Sequence, residues 1–334
     1  MNNISALPRV MLGSWPTPLQ PADQLSRQLG CRLFFKREDM TGLGGGGNKA
    51  RKLEFQLGQA IVNGATHIIT TGAVQSNHAQ LTAAAARKLG LEPHLVLSGQ
   101  PDDQRRGNLY LDHLMDSELT FVSPPAGRPS LEVINETMVQ IAKTITNEGG
   151  TPYLIPEGGT DALGTVGYIL AVKELVQQIS TMQMDAKRIL IAVATGTCGT
   201  HAGLIAGSSI IPNNFEILGV SVSGNTDIKK AKTARIATET LKLAGYEQTI
   251  DEGQVWIEDR FIGSRYADIT EACRSAIHLT ARSEGIFLDP VYTGKAMAAL
   301  VHMGQNGQLS RYDAVIFIHT GGLPLLFNYD YAVQ

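Results

Sequence analysis

Cysteine is scarce. The three present, Cys31, Cys198 and Cys273, stand far apart in 334 residues and show no paired metal spacing. An odd, sparse set fits a reducing compartment better than a disulfide framework, so a cytoplasmic protein is expected. Neither charge is in excess: 28 Lys and Arg against 31 Asp and Glu leave a net charge of −3. That balance gives no electrostatic reason to expect nucleic acid or an anionic membrane as partner. No apolar run is long enough to span a bilayer, and Met1–Val10 has no basic segment followed by an apolar stretch, so neither a membrane span nor a secretory signal is expected. The sequence lacks His-x-x-x-His, Cys-x-x-Cys and clustered carboxylates, which leaves no reason to expect a metal. It also lacks the Gly-x-Ser-x-Gly elbow of serine hydrolases, since Ser76 is flanked by Gln75 and Asn77. Internal repeats and low-complexity linkers are missing as well.

What is present is ordinary globular composition, 43% hydrophobic, with 35 glycines. Such a length suffices for one large α/β unit or two modest domains. Short apolar runs rich in β-branched residues predict strands at His67–Thr71, His94–Ser98, Leu119–Val122, Tyr153–Ile155, Ile189–Ala194, Ile217–Val222 and Ala314–His319. Helical periodicity predicts helices at Lys52–Asn63, Asn77–Leu89, Leu131–Asn147, Thr165–Ile179, Asp227–Ala244 and Ile269–Ser283. The alternation implies an α/β fold with mainly parallel sheets flanked by helices, in which ligands gather at the carboxyl ends of strands. Ser123–Pro129 reads as a loop.

Four segments carry chemistry. In Thr41-Gly-Leu-Gly-Gly-Gly-Gly-Asn-Lys49, consecutive glycines let the backbone lie against a ligand, with Lys49 at the mouth of a helix. Gly42, Gly44 and Gly47 formally satisfy G-x-G-x-x-G, but no dinucleotide-unit strand precedes them, and a Walker loop does not fit. A flexible surface loop with a solvated lysine is the alternative. In Thr70-Thr-Gly-Ala-Val-Gln-Ser-Asn-His78, Ser76 and Asn77 stand where helix N-caps stand, so N–H groups converge there and suit a carboxylate; capping alone is the plainer account. Ile189–Ala194 leads through Thr195-Gly-Thr-Cys-Gly-Thr200 into a helix, a combination of amides, hydroxyls and helix dipole that suits a phosphate, against the alternative of a tight connection. Leu288-Asp-Pro-Val-Tyr-Thr-Gly-Lys295 and Ile318-His-Thr-Gly-Gly-Leu-Pro324 place hydroxyls beside glycines, although each alone is only a loop and Tyr292 could be a core aromatic. A lysine in a glycine loop together with a separate phosphate cradle is what an aldehyde cofactor bearing a phosphate uses.

The chain resembles, nearly end to end, the fold-type-II pyridoxal-phosphate (PLP) enzymes that include D-cysteine desulfhydrase, 1-aminocyclopropane-1-carboxylate deaminase and L-cysteate sulfo-lyase. The residues that carry the resemblance are Pro16-Thr-Pro-Leu19, Lys36-Arg-Glu-Asp39, Gly46-Gly-Asn-Lys-Ala-Arg-Lys-Leu-Glu54, Gln75-Ser-Asn-His78, Gly199-Thr-His-Ala-Gly203, Asp289-Pro-Val-Tyr-Thr-Gly-Lys295 and His319-Thr-Gly-Gly322. The resemblance implies two domains, each with a mainly parallel twisted sheet: a larger one of residues 1–50 and 162–334 and a smaller one of residues 51–161, with pyridoxal 5′-phosphate between them and a homodimeric assembly. It implies that Lys49 is joined to the cofactor aldehyde and that Lys52 and the loop of Gly196, Thr197, Cys198, Gly199 and Thr200 hold its phosphate. Asn77 would reach the phenolic oxygen, and Thr320 would contact the cofactor. Lys49, Ser76 and Tyr292 would be catalytic, with Ser76, Asn77, His78, Tyr266, Tyr292 and Thr293 around the substrate. Arg265 and Ala267 stand where glycines are expected beside Tyr266.

Within this family the ring-opening deaminases typically carry Gln, Glu and Leu where this chain has His78, Thr293 and Thr320. A carboxylate beside the pyridine nitrogen keeps it protonated and makes a strong electron sink, whereas a threonine is a weaker partner. Expelling sulfur needs that sink less than expelling carbon does. The expected reaction is therefore β-elimination from a small amino acid, D-cysteine to pyruvate, ammonia and sulfide, with L-cysteate sulfo-lyase and 1-aminocyclopropane-1-carboxylate deaminase as alternatives. A PLP-binding protein without turnover is the alternative outside enzymes. Gln80-Leu81 replaces an expected Arg-Gln pair, which marks either a different substrate or a surface difference.

Overall fold

The computed structural model describes residues 3–101, 104–123, 128 and 130–329. Its strands are β1 (Leu19–Pro21), β2 (Leu33–Lys36), β3 (His67–Ala73), β4 (Glu92–Ser98), β5 (Glu118–Val122), β6 (Pro152–Leu154), β7 (Ile189–Thr195), β8 (Phe215–Ser221), β9 (Trp256–Glu258) and β10 (Ala314–Ile318). The helices are α1 (Asp23–Leu29), α2 (Lys49–Val62), α3 (Asn77–Lys88), α4 (Gly107–Leu114), α5 (Ser130–Asn147), α6 (Ala162–Thr181), α7 (Gly199–Ile210), α8 (Thr226–Leu243), α9 (Glu271–Glu284), α10 (Thr293–Gln305) and α11 (Leu323–Leu326). One sheet runs β1-β2-β10-β7-β8-β9, and the other runs β5-β4-β3-β6. Every pairing is parallel except β1 with β2.

Strand β7 shows why helices cover both faces of the larger sheet. All seven of its residues are buried. Because successive side chains point to opposite faces, Ile189, Ile191 and Val193 pack with α6, α7 and α8, while Leu190, Ala192 and Ala194 pack with α9 and α10. Burying each branched side chain stabilises the fold by about 1.5–3 kcal/mol. The smaller sheet repeats the pattern, with Leu95 and Leu97 against α3 and α4, and Val96 against α5. Gly207 lets α7 approach α6 closely, since a Cβ there would meet Val172 Cγ2 at 2.8 Å.

The α/β class and the two parallel sheets are as the sequence predicted, with differences at the edges. Strand β2 went unpredicted because it is four residues long and ends in a charged residue. Lys36 is nonetheless buried, donating to the Thr17 carbonyl at 2.7 Å and pairing with Glu174. Also unpredicted were β1, β9, α1, α4, α10 and α11, all short except α10. Helix α2 begins at Lys49, not Lys52. Of the Ser123–Pro129 loop, residues 124–127 and 129 lie outside the described residues.

Candidate active site

The carboxyl ends of both sheets open onto one cavity of about 400 Å³, with Thr71–Ala73 and Ser98 on one side and Ala194, Thr195 and Thr320 on the other. The glycine loop brings Lys49 to it. Gly44, Gly45, Gly46 and Gly47 all have positive φ, and Gly47 bridges Gly321, whose Cβ, if present, would stand 2.8 Å from Gly47 Cα. Asn48 N–H donates to the Thr320 carbonyl at 3.0 Å, which ties the start of α2 to the end of β10. Lys49 is therefore held at the cavity wall, not on a mobile surface loop. Its ammonium donates to Asn48 Oδ1 at 2.9 Å. Burial lowers its pKa to about 8, against the opposing charges of Asp289 and Glu157, which brings the nucleophilic free amine within reach of neutral pH.

Opposite Lys49, β3 turns into α3. Ser76 caps the helix, its hydroxyl oxygen accepting from Ala79 N–H at 3.2 Å, and Ser76, Asn77 and His78 all line the cavity. The Thr70 hydroxyl donates to the Ile155 carbonyl at 2.9 Å, so at 2.8 Å it accepts from His78 Nε2. Burial, then the charges of Lys49 and Lys52, hold His78 neutral. It offers hydrogen bonds, not charge.

The Gly196–Thr200 loop lines the third side. Lys52 stands behind this wall, one turn along α2 from Lys49. Its ammonium donates to the Gly158 carbonyl at 3.1 Å and Thr160 Oγ1 at 3.2 Å, and a Cβ on Gly199 would stand 2.5 Å from it. Lys229, a residue the sequence did not single out, donates to the Thr195 and Gly196 carbonyls at 3.2 and 2.5 Å. Burial lowers the pKa of both lysines, and neither has an ion-pair partner among the described residues. Buried lysines without an ion-pair partner among the described residues, at a helix N-terminus and a cradle that a single methyl group would fill, fit a phosphate dianion. Together with the neutralisable Lys49 across the cavity, they suit pyridoxal 5′-phosphate.

On the remaining side, the Tyr266 and Tyr292 hydroxyls lie 2.5 Å apart with their rings edge to face. Burial pushes the Tyr266 phenol up to about 12 and raises Tyr292 as well. Ala267, where a glycine was expected, adopts a φ of 62°, the left-handed conformation that glycine takes most easily. Asp289, quoted in the sequence only as part of a motif, organises this corner: Oδ1 accepts from the Val291 and Tyr292 N–H groups at 2.8 and 2.7 Å.

Of the residues singled out in the sequence, the cavity wall brings together Lys49, Ser76, Asn77, His78, Gly196–Thr200, Tyr266, Tyr292 and Thr320. Lys52 and Thr293 are not among the residues that line the wall. Thr293 is fully buried, and its hydroxyl donates to Asp289 Oδ2 at 2.7 Å, so it does not face the cavity among the expected substrate contacts. The first turn of α10 carries it away from Tyr292. Glu157 and Lys232 also line the wall but gave no sequence signal, because ordinary helices and turns carry such residues everywhere.

A family model described as "Pyridoxal-phosphate dependent enzyme" matches residues 10–321. A Pyrococcus abyssi (strain GE5 / Orsay) protein named "Putative 1-aminocyclopropane-1-carboxylate deaminase" is 40% identical over 326 residues, covering 98% of this chain and 95% of its own. A Yersinia pseudotuberculosis serotype O:1b (strain IP 31758) protein named "D-cysteine desulfhydrase" is 35% identical over 333 residues, covering 98% of each chain. A crystal structure described as an ACC deaminase homologue superposes with a TM-score of 0.89 at 38% identity, covering 99% of this chain and 97% of its own.

Proposed function

Because the chain belongs to the family of pyridoxal-phosphate dependent enzymes, we propose that it uses that cofactor to eliminate the β-substituent of a small amino acid, D-cysteine and water giving pyruvate, ammonia and hydrogen sulfide. The observation that carries the reading is Lys49: a lysine with its pKa lowered to about 8, facing a helix N-terminus on one side and a phosphate-shaped cradle on another. When bound, pyridoxal 5′-phosphate supplies an aldehyde that takes up the substrate amine and a ring that delocalises the electron pair left at Cα. The Gly196–Thr200 loop and Lys52 would hold the phosphate, with Lys229 bracing the loop from behind. Asn77 would donate to the phenolic oxygen. Ser76 and the first amides of α3 would hold the substrate carboxylate. Lys49, once released, would take the α-proton as general base. Tyr292 would act as a catalytic acid–base group with its phenol paired to Tyr266, and the two rings would flank the side away from α3.

Elimination is supported by the name of the Yersinia pseudotuberculosis relative; Thr293, held by Asp289 outside the cavity wall, offers the cofactor no carboxylate partner. Ring opening of 1-aminocyclopropane-1-carboxylate is the second reading, supported by the name of the Pyrococcus abyssi relative; L-cysteate is a third candidate substrate. We also assign the larger domain to residues 1–50 and 162–334 and the smaller to 51–161, in a cytoplasmic homodimer. The span of the four-stranded sheet, His67 to Leu154, supports the division.

The test is a spectral titration of PLP-loaded protein with D-cysteine, L-cysteine, L-cysteate, D-serine and 1-aminocyclopropane-1-carboxylate, with the keto acid identified. Pyruvate and sulfide from D-cysteine are expected. A four-carbon keto acid from the cyclopropane, with D-cysteine inert, would transfer the assignment to ring opening.

A further inference from the structure

Asn108, at the start of α4, is fully buried and belongs to none of the sequence motifs. Its Nδ2 donates to the Gln75 carbonyl at 3.0 Å and to Asn77 Oδ1 at 2.7 Å. A backbone carbonyl can only accept, so the first bond fixes which end of the Asn108 amide is the NH2 group. That same NH2 group then needs an acceptor on Asn77, which turns the Asn77 NH2 group the opposite way, toward the Gly322 turn, where a Cβ would stand 3.0 Å from it. One main-chain oxygen thus sets the orientation of two amides in series.

The arrangement is clamped and carries a cost. Gln75 Oε1 accepts from Asn108 N–H at 2.9 Å, and Gln75 Nε2 donates to the Arg106 carbonyl at 3.1 Å. Gly107, with a φ of 56°, makes room, since a Cβ there would stand 2.5 Å from Gln75 Oε1. The other end of the Asn108 amide, Oδ1, is buried without a partner. Flipping the amide would not relieve it, because Oδ1 would then face two acceptors. A buried polar atom left unpaired asks for an explanation in function.

We propose that Asn108 is a positioning residue for the cofactor: it locks Asn77 so that a donor, not an acceptor, meets the ring oxygen of bound PLP. The assignment rests on the cofactor reading above. Without Asn108, Asn77 turns freely and presents its oxygen to that negatively charged atom for part of the time.

The test uses full-length protein loaded with PLP and compares wild type, N77A, N108A, the near-isosteric N108D and the N77A/N108A double variant. The measurements are the pH midpoint of the visible absorption band and the PLP dissociation constant. A donor to the ring oxygen favours its anionic form, so both Asn108 variants are expected to raise the midpoint by about half a pH unit or more and to weaken PLP binding about ten-fold. N108A should add little on top of N77A, because both remove the same hydrogen bond. N108D covers the case in which N108A fails to fold. Wild-type values in a folded Asn108 variant, or shifts that add fully to those of N77A, overturn the assignment while leaving the cofactor reading intact. A wild-type protein that shows no visible band and no borohydride-fixed pyridoxyl group on Lys49 sinks the cofactor reading itself, and this assignment with it.

Discussion

The Lys229 ammonium grips the Gly196 carbonyl oxygen at 2.5 Å from the side of the loop opposite the cavity. With the Thr195 carbonyl also taken, the oxygens of this turn point back into the protein, and the amides that follow are free to face an anion. Lys229→Met leaves the Thr195 carbonyl with the Val222 N–H at 3.2 Å but the Gly196 carbonyl with only the Cys198 thiol at 3.8 Å, at about 1–3 kcal/mol. PLP affinity is expected to fall about ten-fold or more, with Lys229→Arg retaining most of it. Fluorescence titration with PLP measures both.

Lys49 gives a pH prediction with a definite sign. Its pKa is lowered to about 8 by burial, and only the unprotonated amine attacks the cofactor aldehyde. In protein stripped of PLP, the rate of cofactor capture should rise about ten-fold per pH unit below that value and level off above it. Glu157 opposes the lowering, so Glu157→Gln should move the midpoint further down. Stopped-flow absorbance across pH reads both; a rate independent of pH in the wild type would contradict the assignment of Lys49.

Lys49 was legible from the sequence because its surroundings are local: four glycines in a row have few other uses. The central strands were legible for the same reason, since a run such as Ile189–Thr195 is buried along its whole length. Lys229 and Asn108 were not, because each meets its partner across more than thirty positions of chain, and nothing in the residues beside them marks the encounter. Thr293 shows a different limit. It adjoins Tyr292 in a recognisable motif, yet successive residues of a helix point about 100° apart, so the letters alone do not say which of the two faces the cavity.

The tyrosine pair gives a kinetic prediction. Both phenols are held protonated, and one donates to the other at 2.5 Å. Tyr292, the more deeply buried, is expected to matter more. Tyr292→Phe should lower kcat about a hundred-fold, within the range of general acid–base contributions. Tyr266→Phe removes only the partner and should cost about ten-fold. Steady-state keto-acid formation at saturating substrate measures both, and equal losses would argue for two phenols acting as one unit.

Thr293 gives a stability prediction. Its hydroxyl and N–H both donate to Asp289 Oδ2, at 2.7 and 2.9 Å, inside a fully buried turn. Burial already raises the Asp289 pKa, and these hydrogen bonds oppose that rise. Thr293→Val keeps the shape and removes the hydroxyl, at an expected cost of about 1–2 kcal/mol in urea unfolding. Thr293→Ser should retain most of the wild-type stability.

Arg51, two residues beyond Lys49, holds the start of α2 through charge. It donates to Glu38 at 2.6 and 2.8 Å and to Glu174 at 2.9 and 3.1 Å, and stacks on Trp15 at 4.0 Å. Burial alone would raise the pKa of Glu38; with Arg51 beside it, the carboxyl is held below its ordinary value. Arg51→Met removes the guanidinium from the buried Glu38 carboxylate and leaves it Lys36 alone as counter-charge, at up to about 3–5 kcal/mol. The pH dependence then reverses sign. In the wild type, the Glu38 contribution is present above the unfolded-state carboxyl pKa and is lost as pH falls through the lower folded value. In the variant, burial is opposed only by Lys36 and the Thr17 and Tyr168 hydroxyls, so with the largest opposing group gone the folded pKa rises above the unfolded one and mild acid relieves the penalty. The stability gap between the two proteins should therefore narrow from neutral to mildly acidic pH. Urea unfolding at the two conditions measures it, and a gap that stays constant would mean that Glu38 is not the group left stranded.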